Sequence, residues 1–99
     1  MGDDKIAIEN VNSPGRTTNV DRDKYEAMRA ALMSVLTTQE PGMSVADAKA
    51  ALLPLLPEEL FPGGSTAGWW LKAVQLDLEA KGVIARAATP PVRLRITGA

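Results

Sequence analysis

Ninety-nine residues carry eleven basic and twelve acidic side chains, no cysteine and no histidine, for a formal net charge of −1. That composition excludes thiolate nucleophiles, imidazole bases, disulfide staples and soft zinc or haem sites, and leaves any metal to carboxylate and carbonyl ligands of the kind Mg²⁺ or Ca²⁺ takes. Fifteen of the hydrophobic residues are alanine, so thirty large apolar side chains remain to build a core, enough for one domain spanning residues 1–99.

Met1 to Asp4 is polar and acidic, with no apolar stretch of the kind a secretory leader has. No run approaches the roughly 18 apolar residues of a membrane span, so the chain is read as cytoplasmic and without a membrane partner. Lys5 to Val11 alternates, placing Ile6 and Ile8 on one face of a short strand. Asn12-Ser13-Pro14-Gly15 is a turn signature, after which Arg16 to Val20 either returns as a second strand or remains an extended arm. Residues 1–20 are thus an N-terminal strand or arm, and residues 21–97 a helical core with a wing.

Asp21 offers an N-cap, and Tyr25, Met28, Leu32, Val35 and Leu36 recur at three- and four-residue spacing, predicting a first helix to Leu36. Thr37 to Gly42 reads as a loop. Ser44 followed by Asp47 resembles a capping box, so a second helix runs from Val45 to about Leu53, where Pro54 stops or kinks it. Leu55 to Phe61 forms one more helical turn with Pro57 at its first position, closed by Pro62-Gly63-Gly64. Ser65 or Thr66 caps a third helix to about Lys81, ended by Gly82. Val83 to Arg86 and Val92 to Thr97 are strands of a terminal hairpin, with Val92, Leu94 and Ile96 on one face and Arg93 and Arg95 on the other. The predicted core is Tyr25, Met28, Leu32, Val35, Leu52, Leu56, Trp70, Leu71, Val74, Leu78, Ile84 and Leu94.

Strand, three helices and hairpin in that order describe an α+β, winged-helix-like domain with a three-helix core, a C-terminal β-hairpin wing and an added N-terminal strand or arm. Leu71 to Arg86, followed by Pro91 to Thr97, resembles the ending of winged helix-turn-helix domains, including the N-terminal domain of Mrr-type restriction endonucleases. A resemblance over nearly the whole chain is carried by Glu9-Asn10-Val11-Asn12, Pro14-Gly15-Arg16, Lys24 to Arg29, Leu60 to Gly64, Gly68-Trp69-Trp70 and Val74 to Gly82. These segments are similar to a family of small uncharacterised bacterial proteins. That resemblance implies a stand-alone bacterial domain and transfers no site.

At about 100° per residue, Ala67, Trp70, Leu71, Val74 and Leu78 form the core stripe of the third helix. Trp69, Ala73, Leu76 and Ala80 form a second apolar stripe roughly opposite, where a DNA-reading helix would carry base-contacting polar residues. A helix apolar on two faces is either covered within its own fold, here by Ile6, Ile8 and Val11 of the arm, or buried in an interface. The leading expectation is a non-catalytic interaction module that self-associates as a dimer, or meets another protein, through Trp69, Ala73, Leu76, Ala80, Ile6 and Ile8.

The alternative is a small nucleic-acid-binding protein. Residues 1–64 carry six basic and ten acidic groups, residues 65–99 five basic and two acidic, so the C-terminal third is the basic end. Lys72, Gln75, Arg86, Arg93 and Arg95 are candidates to follow a phosphate backbone, and Ser65 and Thr66 stand where a helix N-terminus favours phosphate. The plain readings beside these are charged strand edges that deter aggregation and an ordinary helix cap. Catalysis is not expected. Gly63 to Gly68 lacks the Gly-Lys-Ser/Thr ending of a phosphate loop, Ser65 has no base, and Glu58 and Glu59 are neighbours that point about 100° apart on a helix. No cofactor and no small-molecule substrate is expected, because so small a domain has little room for a deep pocket.

Overall fold

A computed structural model describes residues 4–97; of the polar start, Met1 to Asp3 lie outside the described residues. The chain opens on an antiparallel hairpin of β1 (Lys5–Glu9) and β2 (Thr17–Asp21), with Ile6 opposite Val20 and Ile8 opposite Thr18. The second segment therefore returns as a strand and does not trail as an arm. Alternation puts Ile6, Ile8 and Val20 on the inner face, where Ile8 and Val20 are buried. The first strand stops two residues short of the predicted Val11, because the Asn10 side chain accepts a hydrogen bond from the Asn12 amide at 2.8 Å and starts the turn.

The last residue of β2 is also a helix cap. Asp21 accepts from the amides of Asp23 and Lys24 at 2.9 and 3.2 Å, and α1 (Arg22–Val35) follows directly. This joint fixes the hairpin against the helical core, and α1 packs on both β1 and β2.

Between α1 and the second helix the sequence reading gave only a loop, and here the structure adds β3 (Met43–Ser44). It pairs with β5 (Arg93–Ile96), which pairs in turn with β4 (Ile84–Arg86), so the wing hairpin belongs to a three-stranded antiparallel sheet in the order β3-β5-β4. Gly42 makes that pairing feasible. Its φ is +99°, and a Cβ there would lie 2.5 Å from the Leu94 carbonyl oxygen. Ser44 both ends β3 and caps α2 (Val45–Leu52), accepting from the Asp47 amide at 3.1 Å.

The stretch from α2 to α3 (Ala67–Ala80) is not the tight turn of a helix-turn-helix. It holds a 3₁₀ turn at Leu53–Leu55, a helical turn in which the Phe61 amide donates to the Pro57 carbonyl at 2.9 Å, and a second 3₁₀ turn at Pro62–Gly64. Phe61 folds back into the core, 1% exposed, with its ring 6.5 Å from that of Trp70 in an edge-to-face arrangement. The expected cap of α3 is corrected. Thr66 occupies the N-cap position in a left-handed conformation, φ 62°, and neither it nor Ser65 caps the helix with its side chain, because the Thr66 hydroxyl donates to the Ser65 carbonyl instead.

The result is an α+β, winged-helix-like arrangement of three helices and two small sheets, with one hydrophobic cluster drawn from all three helices, the hairpin and the wing. Ten of the twelve predicted core residues are buried; Val35 and Leu56 pack half-buried at its margin.

Candidate functional site

Helix α3 has the hairpin on one flank and the wing on the other, and each contact is organised by an acid of the helix. On the hairpin side Asp77 is fully buried. Its Oδ1 accepts from the Glu9 amide at 2.8 Å and from Lys81 Nζ at 2.7 Å, and its Oδ2 accepts from the Tyr25 hydroxyl. One carboxylate thus ties β1, α1 and α3 together. Burial, and then the hydrogen bond and charge of Asp77, raise the Tyr25 phenol well above its ordinary value, with Arg29 opposing in the other direction. The Val11 amide adds a bond to the Leu76 carbonyl at 3.3 Å.

On the wing side Glu79 accepts from Arg86 Nε and Nη2 at 2.7 and 3.0 Å and from Gln75 Nε2 at 2.9 Å. These bonds hold the Arg86 guanidinium above its ordinary value. Arg86 on β4 is thus paired with α3, and Gln75, expected to face a phosphate backbone, is buried. Arg93 and Arg95 lie half-buried on β5. Just before α3 the amides of Gly64 and Ser65 donate to the carbonyls of Phe61 and Pro62, and Gly63 donates to the Glu58 carboxylate at 2.9 Å. Lys72, Gln75 and Arg86 line one concavity between α2, α3 and the wing, and Arg93 and Arg95 are not among its lining residues. Asp77 is not among the residues that the sequence reading singles out. A signal for its burial existed, since it stands seven residues after Trp70 and three after Val74, on the core stripe of the helix.

The second apolar stripe divides. Leu76 and Ile8, expected to meet a partner, are buried within the same chain because β1 of the hairpin packs on α3; Ile6, Ala73 and Ala80 are half-buried. Trp69 alone of the stripe stays outside, 59% exposed. It stands at an open groove of about 420 Å³ between the hairpin and α3, with Ile8 and Leu76 in the groove wall and Glu9, Arg16, Thr18 and Lys72 around it. Trp69 and Trp70 meet edge to face with centroids 5.1 Å apart, which limits how the exposed ring can turn. Among the described residues no cluster of acids suited to a metal ion occurs, and no helix is long and apolar enough to cross a membrane.

Glu9 to Asn12, Pro14 to Arg16, Gly68 to Trp70 and Val74 to Gly82, which lie around this groove and Asp77, are among the segments that carry the likeness to an uncharacterised family. A model of a family of unknown function, DUF6958, matches residues 5–94. The chain belongs to that family. Its match begins at the first residue of β1 and ends within β5, so in this DUF6958 protein the hairpin, the helices and most of the wing fall inside the family's span. Comparison with curated proteins and with solved structures gave no match, and none supports the likeness of residues 71–97 to Mrr-type endonucleases.

Proposed function

We propose that this DUF6958 protein is a non-catalytic binding module whose working face is the groove between the β1–β2 hairpin and α3, with Trp69 as its anchor. The observation that carries this reading is the placement of the aromatic residues. Tyr25, Phe61 and Trp70 are all buried, and Trp69 alone is left 59% exposed, beside a concavity. A large exposed ring held against a second ring is pre-ordered for contact, and tryptophan is the residue most enriched among those that dominate binding energy.

Self-association through the whole second stripe loses much of its area, since Leu76 and Ile8 are already buried within the chain. Reading of duplex DNA by α3 is disfavoured for the same reason: part of the helix face that would enter a major groove lies under the hairpin. The test is site-specific photocrosslinking in the native host. A photoreactive amino acid at position 69 is expected to give a discrete adduct that the same group at exposed Ala30 on α1 does not. Equal labelling from both positions would remove the groove as the working face.

A further inference from the structure

We infer that the occupant of this groove is a single-stranded nucleic acid, its bases stacking on Trp69 and its phosphates following Arg16, Lys72 and Lys49. The inference rests on the groove being the working face and names the partner's chemistry.

Charge is the first support. The groove beside Trp69 meets a second concavity of about 410 Å³, between α2, α3 and the wing, along Gly68 and Lys72. Arg16 lines the first, Lys49 the second and Lys72 both, whereas Glu9 is the one acid lining either. Arg16, Lys49 and Lys72 form no ion pair among the described residues, while the acids nearest them on α3, Asp77 and Glu79, are neutralised by Lys81 and Arg86. In a chain of net charge −1 this is a segregated positive path, and a path of fixed cations attracts a polyanion.

The kind of apolar surface is the second support. Ile8 and Leu76, in the groove wall, are only 6% and 8% exposed, so an inserted peptide side chain would gain little new apolar burial there. What is offered is the Trp69 ring itself. A planar ring flanked by cations suits an unpaired base, because every base has a π-face, and stacking on an aromatic side chain tolerates any sequence. Bases in a duplex are already stacked and cannot use it. Gly68 sits where the two concavities meet and presents no side chain, leaving the path open between Lys49 and Trp69.

The experiment is fluorescence anisotropy of an end-labelled thymidine oligomer of about 12 nucleotides titrated with the full chain at about 50 mM salt. Binding is expected, with a duplex of equal length bound about 10-fold more weakly. Trp69→Ala should weaken the single strand by about 10-fold or more while Trp69→Phe retains most of the affinity, and Lys72→Gln should lower the salt-dependence slope by about 0.7. Circular dichroism melts matching the parent chain show that the variants are folded. Three results would overturn the inference: no binding of the oligomer, a duplex bound as tightly, or an affinity indifferent to Trp69→Ala. If a glutamate-rich peptide instead quenches Trp69 fluorescence and the oligomer does not, the single-strand assignment falls and the groove keeps its role. If the oligomer binds with an affinity untouched by Trp69→Ala and position 69 gives no distinctive crosslink, both fall.

Discussion

The hairpin and the wing lie on opposite flanks of α3 and are fastened by different physics. The wing is continuous with the core: β5 is the middle strand of its sheet, Leu94 and Ile84 are buried within the cluster, and the Ile96 amide reaches back to the Thr37 carbonyl at 2.8 Å. The hairpin is a two-stranded unit of its own, and an isolated pair of strands is marginal in water. It is held by Ile8, Val20, the joint at Asp21 and the bond from the Glu9 amide to Asp77. The contrast teaches that α3 is built into the fold on one side and covered by a latched element on the other. The groove with Trp69 lies on the latched side.

The largest effect should therefore come from the wing. Leu94→Ala removes a fully buried side chain from the central strand and should cost about 4 kcal/mol, with loss of the whole fold in a single urea transition. Were hydrogen exchange to show the wing amides opening while α1 and α3 keep full protection, the wing would be no more integral than the hairpin.

Asp77→Ala comes next, at about 3 kcal/mol, since it strands the Glu9 amide, the Tyr25 hydroxyl and Lys81 Nζ together. Its signature should be local. Amides of residues 5–9 and 17–21 are expected to exchange faster than those of α3, and the groove should lose its shape with them. Uniform acceleration across the chain would show that the hairpin and the core are one cooperative unit.

The same contrast explains what the sequence made legible. Helices α1 and α3 were readable because their apolar residues repeat at helical spacing over 14 residues each. The inward faces of β1 and β5 followed from simple alternation at Ile6 and Ile8 and at Leu94 and Ile96. Strand β3 was not readable, because two residues cannot show a period; its existence depends on the approach of Gly42 to Leu94, fifty-two positions away. The wheel found both stripes of α3 and left open what covers the second. The decision was made by Asp77, whose bond to the Glu9 amide seats the hairpin over Leu76 and stops short of Trp69. Arg86 reads as outward-facing because its acceptor, Glu79, comes within reach only once β4 stands beside α3.

Gly42→Ala tests the wing from its other edge. The new methyl group would meet the Leu94 carbonyl at 2.5 Å in a backbone region that alanine disfavours, so β3 should separate from β5 at a cost of about 2 kcal/mol. Because the hairpin does not touch this edge in the ladder, its amides should keep their relative protection. If the hairpin loosens first, the two sides of α3 are coupled more strongly than their separate sheets imply.

The smallest effect is the most specific to the latch. Tyr25→Phe should cost about 1.5 kcal/mol near neutral pH, one hydrogen bond to a charged acceptor. Its pH dependence separates that bond from packing. The folded chain holds the Tyr25 proton at pH values where the unfolded chain, with an ordinary value of about 10, has released it. Below about pH 10 both states are protonated and the contribution is complete and constant; above it the folded state carries the extra proton, so stability falls as pH rises, by at most about 1.4 kcal/mol per unit from this group. The difference between the parent chain and Tyr25→Phe isolates the phenol. As Tyr25 is the only tyrosine, phenolate absorbance reads it directly. Phenolate signal is expected only as the chain unfolds. Ionisation at an ordinary pH in a chain still folded would mean that the hairpin rests on α3 by its apolar contacts, with Asp77 an incidental partner.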